Sequence, residues 1–185
     1  MNRLISSLVV ASLTLVAFGC GKGEGGGGGA AAGGGGGEAP AAKPAALAFI
    51  PVPALGVQLE LPGDAKPEQG AGDSFMIMSS SAPDCVVMLS KNKPEASNKF
   101  ETVVGWIKEG KMGHGKLKAM SKEEQSPDGG WKLEWESEGK IGSKNQYGVD
   151  YRVVIDGMFF DCSRKTRTVE GRDCVAKACG SLKKI

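Results

Sequence analysis

The sequence predicts an α+β domain, an antiparallel β-sheet with two helices packed on it, behind an export signal. Three observations predict this fold class. Most apolar segments alternate with a period of two residues, as half-buried strands do. Two further segments repeat their apolar residues at helical spacing. Short turns join most of the predicted strands, which is typical of antiparallel sheets.

The first 19 residues have the pattern of a cleaved signal peptide. Arg3 supplies the positive charge, and the apolar stretch 4–18 is shorter than the roughly 20 residues that a membrane-spanning helix needs. Cys20 follows Gly19, and this junction resembles the lipobox of bacterial lipoproteins. The resemblance implies that Cys20 receives a lipid and becomes the first residue. The two residues before Gly19 depart from the usual pattern, so release of a soluble protein is the alternative.

A tether is expected to follow, over residues 20–46. Residues 21–46 contain 12 Gly and almost no apolar side chains, a composition that predicts a disordered segment. Such a chain spans about 28 Å on average, enough to hold a domain clear of lipid headgroups. Because no acidic residue follows Cys20, we expect the protein on the periplasmic side of the outer membrane. The choice between inner and outer membrane stays open.

The folded domain is expected to span residues 47–185 and to begin with three strands. Alternation predicts a strand over 57–61, which the sequence Pro-Gly-Asp ends. A second short strand is predicted over 75–79. The segment 85–89 is apolar on both faces, which predicts a central strand.

A helix is predicted next. Its apolar stripe repeats at i, i+3, i+4 and i+7 and consists of Phe100, Val103, Val104 and Ile107. Asn98, followed three residues later by Glu101, predicts a cap at its beginning. Gly110 predicts its end.

Two hairpins follow the helix. The sequence Ser-Pro-Asp-Gly-Gly at 126–130 predicts a type I turn with a glycine bulge between strands at 117–124 and 131–136. Asp156-Gly157 predicts a two-residue turn. It pairs Tyr151 with Cys162 and places Cys162 on the core face.

A second helical stripe closes the chain and consists of Val175, Ala178, Cys179 and Leu182. We expect both helices to cover one face of the sheet. The order of elements over residues 50–185 resembles that of the PsbP-like superfamily. The resemblance implies an α-β-α sandwich and a non-catalytic accessory or assembly role.

Four cysteines remain once Cys20 is set aside, an even number that predicts two disulfides in an oxidising compartment. Cys174 and Cys179 are five residues apart on the predicted helix, so their Cα atoms lie about 8–9 Å apart. A disulfide needs less than about 7 Å. Each therefore bonds to a strand cysteine. We favour Cys162–Cys179 with Cys85–Cys174, and the swapped pairing stays open.

Few residues in the domain point to chemistry. His114 is predicted in an exposed loop, and three methionines, Met76, Met78 and Met88, are expected to fill gaps in the core. No metal or cofactor is expected, because paired zinc-ligand spacing is absent. The basic residues Arg164, Lys165, Arg167 and Arg172 are interpreted as a solvated face, with contact to an anion as the alternative.

The charge is nearly balanced, with 20 basic and 19 acidic residues from Leu47 onward, which argues against nucleic-acid binding. The favoured function is a non-catalytic binding or accessory module of the cell envelope. Its expected partners are the membrane, through the lipid anchor, and an envelope protein. An envelope hydrolase with an unrecognised site is the alternative.

Overall fold

The computed structural model describes residues 45–139 and 144–185. The predicted signal peptide, Cys20 and the tether up to residue 44 lie outside the described residues. Within the described ranges there are ten strands: β1 Leu47–Val52, β2 Val57–Pro62, β3 Lys66–Gln69, β4 Ser74–Met78, β5 Val87–Asn92, β6 Leu117–Gln125, β7 Trp131–Ser137, β8 Gln146–Ile155, β9 Met158–Thr166 and β10 Lys183–Lys184. The two α-helices are α1 Phe100–Lys108 and α2 Val169–Gly180, and two short 3-10 helices are Pro53–Leu55 and Pro94–Ala96.

Seven strands form one antiparallel sheet in the order β3-β4-β5-β9-β8-β7-β6, and β1, β2 and β10 form a second sheet with β2 in the middle. The α+β fold class is therefore confirmed. Strands β1, β3 and β10 were not predicted. β3 reads Lys-Pro-Glu-Gln and β10 has two lysines, so neither carries an apolar period.

Both predicted hairpins form. Asp156 and Gly157 have φ angles of 52° and 74°, as a two-residue turn between twisted strands requires. The register pairs Tyr151 with Cys162, and both side chains are buried on the core face. In the other turn, Gly129 has a φ of 89° and its N–H donates to the Ser126 carbonyl.

The helices lie on opposite faces of the seven-stranded sheet, so the expectation of one shared face is wrong. The α2 face, which also supports the second sheet, buries Tyr151 and Cys162. Trp131 is paired with Arg152, the neighbour of Tyr151, and therefore points to the other side. On that α1 face, Trp131, Leu133 and Trp135 pack against Val103, Val104 and Ile107. The alternating β7 side chains create this second core.

Two disulfides fasten α2 to the large sheet. Cys162 on β9 bonds to Cys179, and Cys85, just before β5, bonds to Cys174. The Cα atoms in each pair are 5.6 Å apart, within the range for a disulfide. This is the pairing that the sequence favoured over the swapped one.

The beginning of α1 differs from the prediction. Lys99, not Asn98, occupies the N-cap, and its side chain makes no capping hydrogen bond. The Asn98 carbonyl instead accepts a hydrogen bond from Arg152. A tertiary partner therefore fixes this helix end. The helix finishes at Lys108, and Gly110, with a φ of 67°, follows where a stop was predicted.

Asp64 joins the turn after β2 to the segment after β4. Its carboxylate accepts hydrogen bonds from the hydroxyls of Ser79, Ser80 and Ser81, at 2.6–2.8 Å, and from the Ser81 N–H at 2.9 Å. These bonds hold the pKa of Asp64 well below its usual range. They fix the place where the chain enters the domain, since the Ala45 N–H donates to Ser81.

Candidate functional site

A pocket of about 280 Å³ opens on the α1 face, beneath the loop 109–116 that joins α1 to β6. Its floor contains a row of paired residues on three adjacent strands, Met88, Ser163 and Asp150. Trp135 on β7 completes the floor. The register of the sheet thus brings together side chains that lie up to 75 positions apart in the sequence.

The loop 109–116, here called the lid loop, is held in place by backbone shape and by one lysine. Gly113 and Gly115 have φ angles of 72° and 71°, which favour glycine. A Cβ on Gly115 would lie 2.2 Å from the Glu138 carbonyl oxygen, so no larger residue fits. Lys165 donates to the carbonyls of Gly113 at 2.8 Å and Met112 at 3.4 Å.

His114 lies on the lid loop, and its half-buried side chain lines the pocket. The prediction of an exposed loop histidine is therefore wrong. Its ring lies edge-on to Trp135, with ring centroids 5.1 Å apart. Burial, with a smaller contribution from the Lys165 charge, lowers the pKa of His114 to about 4. The imidazole is therefore neutral at pH 7. It was misplaced because its flanking glycines are typical of exposed loops.

Two ring nitrogens at this site are buried without a hydrogen-bond partner among residues 45–139 and 144–185. They are His114 Nδ1 and Trp135 Nε1. Buried polar atoms in folded proteins usually have partners, because an unmade hydrogen bond costs about 1–3 kcal/mol. The site therefore holds two polar atoms that its own packing leaves without a hydrogen bond.

Asp150 supplies the negative charge of the site. Trp131 Nε1 donates to its Oδ1 at 2.8 Å. Burial is the main cause that raises the pKa of Asp150 to about 6, and the nearby Asp161 acts in the same direction. The hydrogen bond from Trp131 and the charge of Arg152 oppose the shift. The carboxylate is ionised at pH 7, although it is poorly solvated.

Arg152 lies on the same face of the sheet as Asp150, two residues further along β8. Its guanidinium carbon lies 3.7 Å from the centroid of a Trp131 ring and 4.7 Å from that of Phe159. Two hydrogen bonds, of 2.6 and 3.0 Å, join the guanidinium to Asp161, and a third goes to the Asn98 carbonyl. Such a bidentate, stacked arginine is rigid.

The rest of the α1 face has no helix over it in the described part of the chain. We call this surface the open face and define it by five side chains on β4, β5 and β9: Met76, Met78, Met88, Ser90 and Ser163. Met88 is 47 % exposed, and Met76 and Met78 are partly exposed. The expectation that these methionines fill the core is wrong, because α1 packs on β6 and β7 and does not reach them.

Sequence reasoning missed most of this site. Lys165 is part of the basic segment interpreted as a solvated face, and Asp150 was not singled out, because both lie on strands whose apolar residues face α2. The turn at Asp156-Gly157 sets the register of β8 with β9, and this register places Asp150 next to Ser163, so this part of the site could have been predicted. The basic residues Arg164, Lys165 and Arg167 lie together at the end of β9, next to the pocket.

In residues 45–139 and 144–185, no three His, Cys, Asp or Glu side chains are grouped so as to hold a metal ion. In the same ranges, no helix has the length and apolar character needed to cross a bilayer.

No known protein family and no curated protein sequence matches this chain. Solved structures share its fold. The Ran-binding protein Mog1p of Saccharomyces cerevisiae is 6 % identical over 76 % of this chain and 96 % of its own, with a TM-score of 0.54. The cyanobacterial PsbP (CyanoP) of Synechocystis sp. PCC 6803 is 11 % identical over 80 % of this chain and 98 % of its own, with a TM-score of 0.50. The resemblance to PsbP-like proteins is thus confirmed as a likeness of fold.

Proposed function

We propose that this protein is a lipid-anchored binding module of the bacterial envelope, attached through Cys20 and docking a protein partner on its open face. The observation that carries the proposal is Met88, a large apolar side chain that is 47 % exposed in the middle of a sheet. Methionine adapts its shape and is common at binding surfaces. An apolar surface beside a pocket is typical of a partner site.

The pocket and the open face act together in this proposal. Met88 and Ser163 belong to both, so an apolar or aromatic side chain of the partner can enter the pocket while its neighbours lie across the strands. Inside, it meets the neutral His114 and the ring of Trp135, which both line the pocket. Mog1p is a Ran-binding protein, which adds only that one protein of this fold binds another protein.

The partner site is tested by site-specific photocrosslinking in intact envelopes, with the probe at position 88 or, as control, at position 47. Leu47 is also 47 % exposed, and it lies on the second sheet. We expect a defined crosslinked protein from position 88 only, and at least a tenfold loss of its binding with Met88→Glu. Equal products from both positions, or binding unaffected by Met88→Glu, would contradict the proposal.

The anchor is tested separately by labelling cells with a radioactive fatty acid. We expect the label in the wild-type chain and none in Cys20→Ala. Label that survives the substitution would exclude Cys20 as the acylated residue. Fractionation of the labelled cells distinguishes the outer membrane, which we propose as the location, from the inner membrane.

An envelope hydrolase is the second candidate, because Ser163, His114 and Asp150 line one pocket and two of them have shifted pKa values. No hydrogen bond among the described residues links these three side chains, whereas a nucleophile and its base are expected within hydrogen-bond reach. Covalent labelling by a fluorophosphonate, lost in Ser163→Ala, would favour this candidate over the binding module.

A further inference from the structure

The strand directions bring five loops to one end of the domain, which we call the tether end. These loops follow β2, β4, α1, β7 and β9 in the chain. The chain enters the domain at this same end, because β1 begins opposite the end of β2 and the Gly63 N–H donates to the Ala46 carbonyl at 2.8 Å.

Several cations at the tether end form no ion pair within the described part of the chain, and three of them lie together around two pockets. Lys144, Arg164 and Arg167 line two adjoining surface pockets of about 560 and 290 Å³. None of the three takes part in an ion pair between described residues. Eight other lysines and arginines of the described residues do form ion pairs, as Lys108 does with Glu123 at 3.0 Å.

Two carboxylates at the tether end accept hydrogen bonds from hydroxyl groups and form no ion pair with a described residue. Asp84 shares both pockets with Arg167, and it accepts a hydrogen bond from the Thr168 hydroxyl at 3.2 Å. Asp64 is bonded to three serines. The two pockets are lined by these three cations and Lys165, against the single carboxylate of Asp84, so their local charge is positive.

The chain entrance lies close to these cations. Ala45 donates to the hydroxyl of Ser81, and Ser81 is three residues from Asp84, which lines both pockets. Three residues span at most about 11 Å even when fully extended. A membrane anchor upstream of Ala45 would therefore be connected to the domain at a point close to its unpaired cations.

We propose that the tether end docks on the membrane surface, with Lys144, Arg164 and Arg167 binding the phosphate groups of anionic phospholipids. This inference rests on the lipid anchor of the proposed function, because the anchor supplies the proximity. The composition of residues 21–46 predicts a flexible tether, and such a tether would keep the domain at an effective concentration in the millimolar range near the surface. Each cation near an anionic membrane then strengthens docking about fivefold, and added salt weakens it.

Docking is tested with an artificial anchor. Four of the five cysteines form disulfides, so Cys20 is the free thiol of the chain from residue 20 onward. It is coupled to a maleimide lipid in nanodiscs that also contain a gadolinium-labelled lipid. NMR line broadening then compares an amide of the tether end, Gly171, with one of the opposite end, Gly157. The nanodiscs contain phosphatidylcholine alone or about one third phosphatidylglycerol.

We expect much stronger broadening at Gly171 than at Gly157 only in the anionic nanodiscs, and its loss at about 500 mM salt. Replacing the three cations by glutamine should lower the ratio of docked to free domain on the order of a hundredfold. The matched control removes three cations of the opposite end: Lys93→Gln, Lys99→Gln and Lys132→Gln. It should leave docking unchanged.

Equal broadening in both kinds of nanodisc, or equal effects of the two triple variants, would overturn the docking proposal. Competition by free inorganic phosphate at constant ionic strength, without any difference between the two lipids, would assign the cations to a soluble anion instead. Because the anchor here is chemical, these outcomes are independent of whether cells acylate Cys20, which the fatty-acid labelling reports.

Discussion

Gly148 offers a direct test of the pocket floor. It lies on β8 opposite Trp135, and a Cβ built on it would lie 2.1 Å from Cε2 and Cζ2 of the indole. Carbon atoms pack at about 3.5–4.0 Å, so the ring must move by about 1.5 Å. Trp135 is 2 % exposed and His114 packs against it, so such a shift displaces other core atoms. We expect Gly148→Ala to destabilise the fold by about 3 kcal/mol.

The matched control is Gly105→Ala on α1. A Cβ there has no heavy atom within 4 Å, and the residue lies inside a helix. Alanine is favoured over glycine in a helix by about 0.5–1 kcal/mol, so this variant should be more stable than the wild type. The same chemical change is thus expected to have opposite signs at the two positions, with a difference of about 4 kcal/mol in the free energy of unfolding.

Urea unfolding with the disulfides intact measures both variants, and a double-mutant cycle assigns the cause. In a Trp135→Leu background, Gly148→Ala should cost less than about 1 kcal/mol, because the clashing ring is gone. A cost that stays near 3 kcal/mol in that background would place the strain in the backbone of β8. Equal stabilities of Gly148→Ala and Gly105→Ala would refute the packing of Trp135 described above.

Three further predictions concern the disulfides and the pocket. Replacing Cys85 and Cys174 by alanine should lower the free energy of unfolding by about 4.5 kcal/mol, and replacing Cys162 and Cys179 should lower it by about 3 kcal/mol. The first loss is larger because that disulfide joins residues 89 positions apart, whereas the second joins residues 17 positions apart. Urea unfolding that ranks the two variants in the reverse order would contradict the loop-entropy argument. His114 should titrate by NMR near pH 4, and Lys165→Met should raise that midpoint. Because the pKa of His114 is lower in the folded than in the unfolded chain, His114 makes the fold less stable as the pH falls from about 6.5 to 4. Asp150 has the opposite effect on the pH dependence of stability, because folding raises its pKa to about 6. Burial of the ionised carboxylate lowers the stability above that pH, and this loss disappears as the pH falls toward 4. Asp150→Asn, whose amide oxygen can still accept from Trp131, should raise the stability at pH 7 on the order of 2 kcal/mol and remove this pH dependence.

The sequence predicted the fold where a local pattern decides it. Asp156-Gly157 fixes a turn by backbone conformation, and that turn alone determines the pairing of β8 with β9 and the buried position of Cys162. The helical spacing in α1 likewise identified the side chains that pack on Trp131 and Trp135. These features need only neighbouring residues, so they are readable without a structure.

The candidate site was not predictable in the same way, because it depends on which sheet face remains uncovered. Met88 has neighbours in the sequence that are typical of a core residue, and it is exposed because α1 packs on β6 and β7 and not on β5. The position of His114 depends on Lys165, 51 residues later, which holds the lid loop by two carbonyls. No local pattern reports either fact.

The two proposals together determine how the domain would stand on a membrane. The strands of the large sheet run from the tether end to the opposite end, so a domain docked through Lys144, Arg164 and Arg167 has its strands directed away from the headgroups. The open face lies on the side of that sheet, and the lid loop is at its membrane-facing edge. A partner on Met88 would therefore lie alongside the domain and close to the bilayer. Consequently, shortening the tether to about half its length should leave crosslinking at position 88 intact, whereas the triple glutamine variant should reduce crosslinking to a membrane-bound partner.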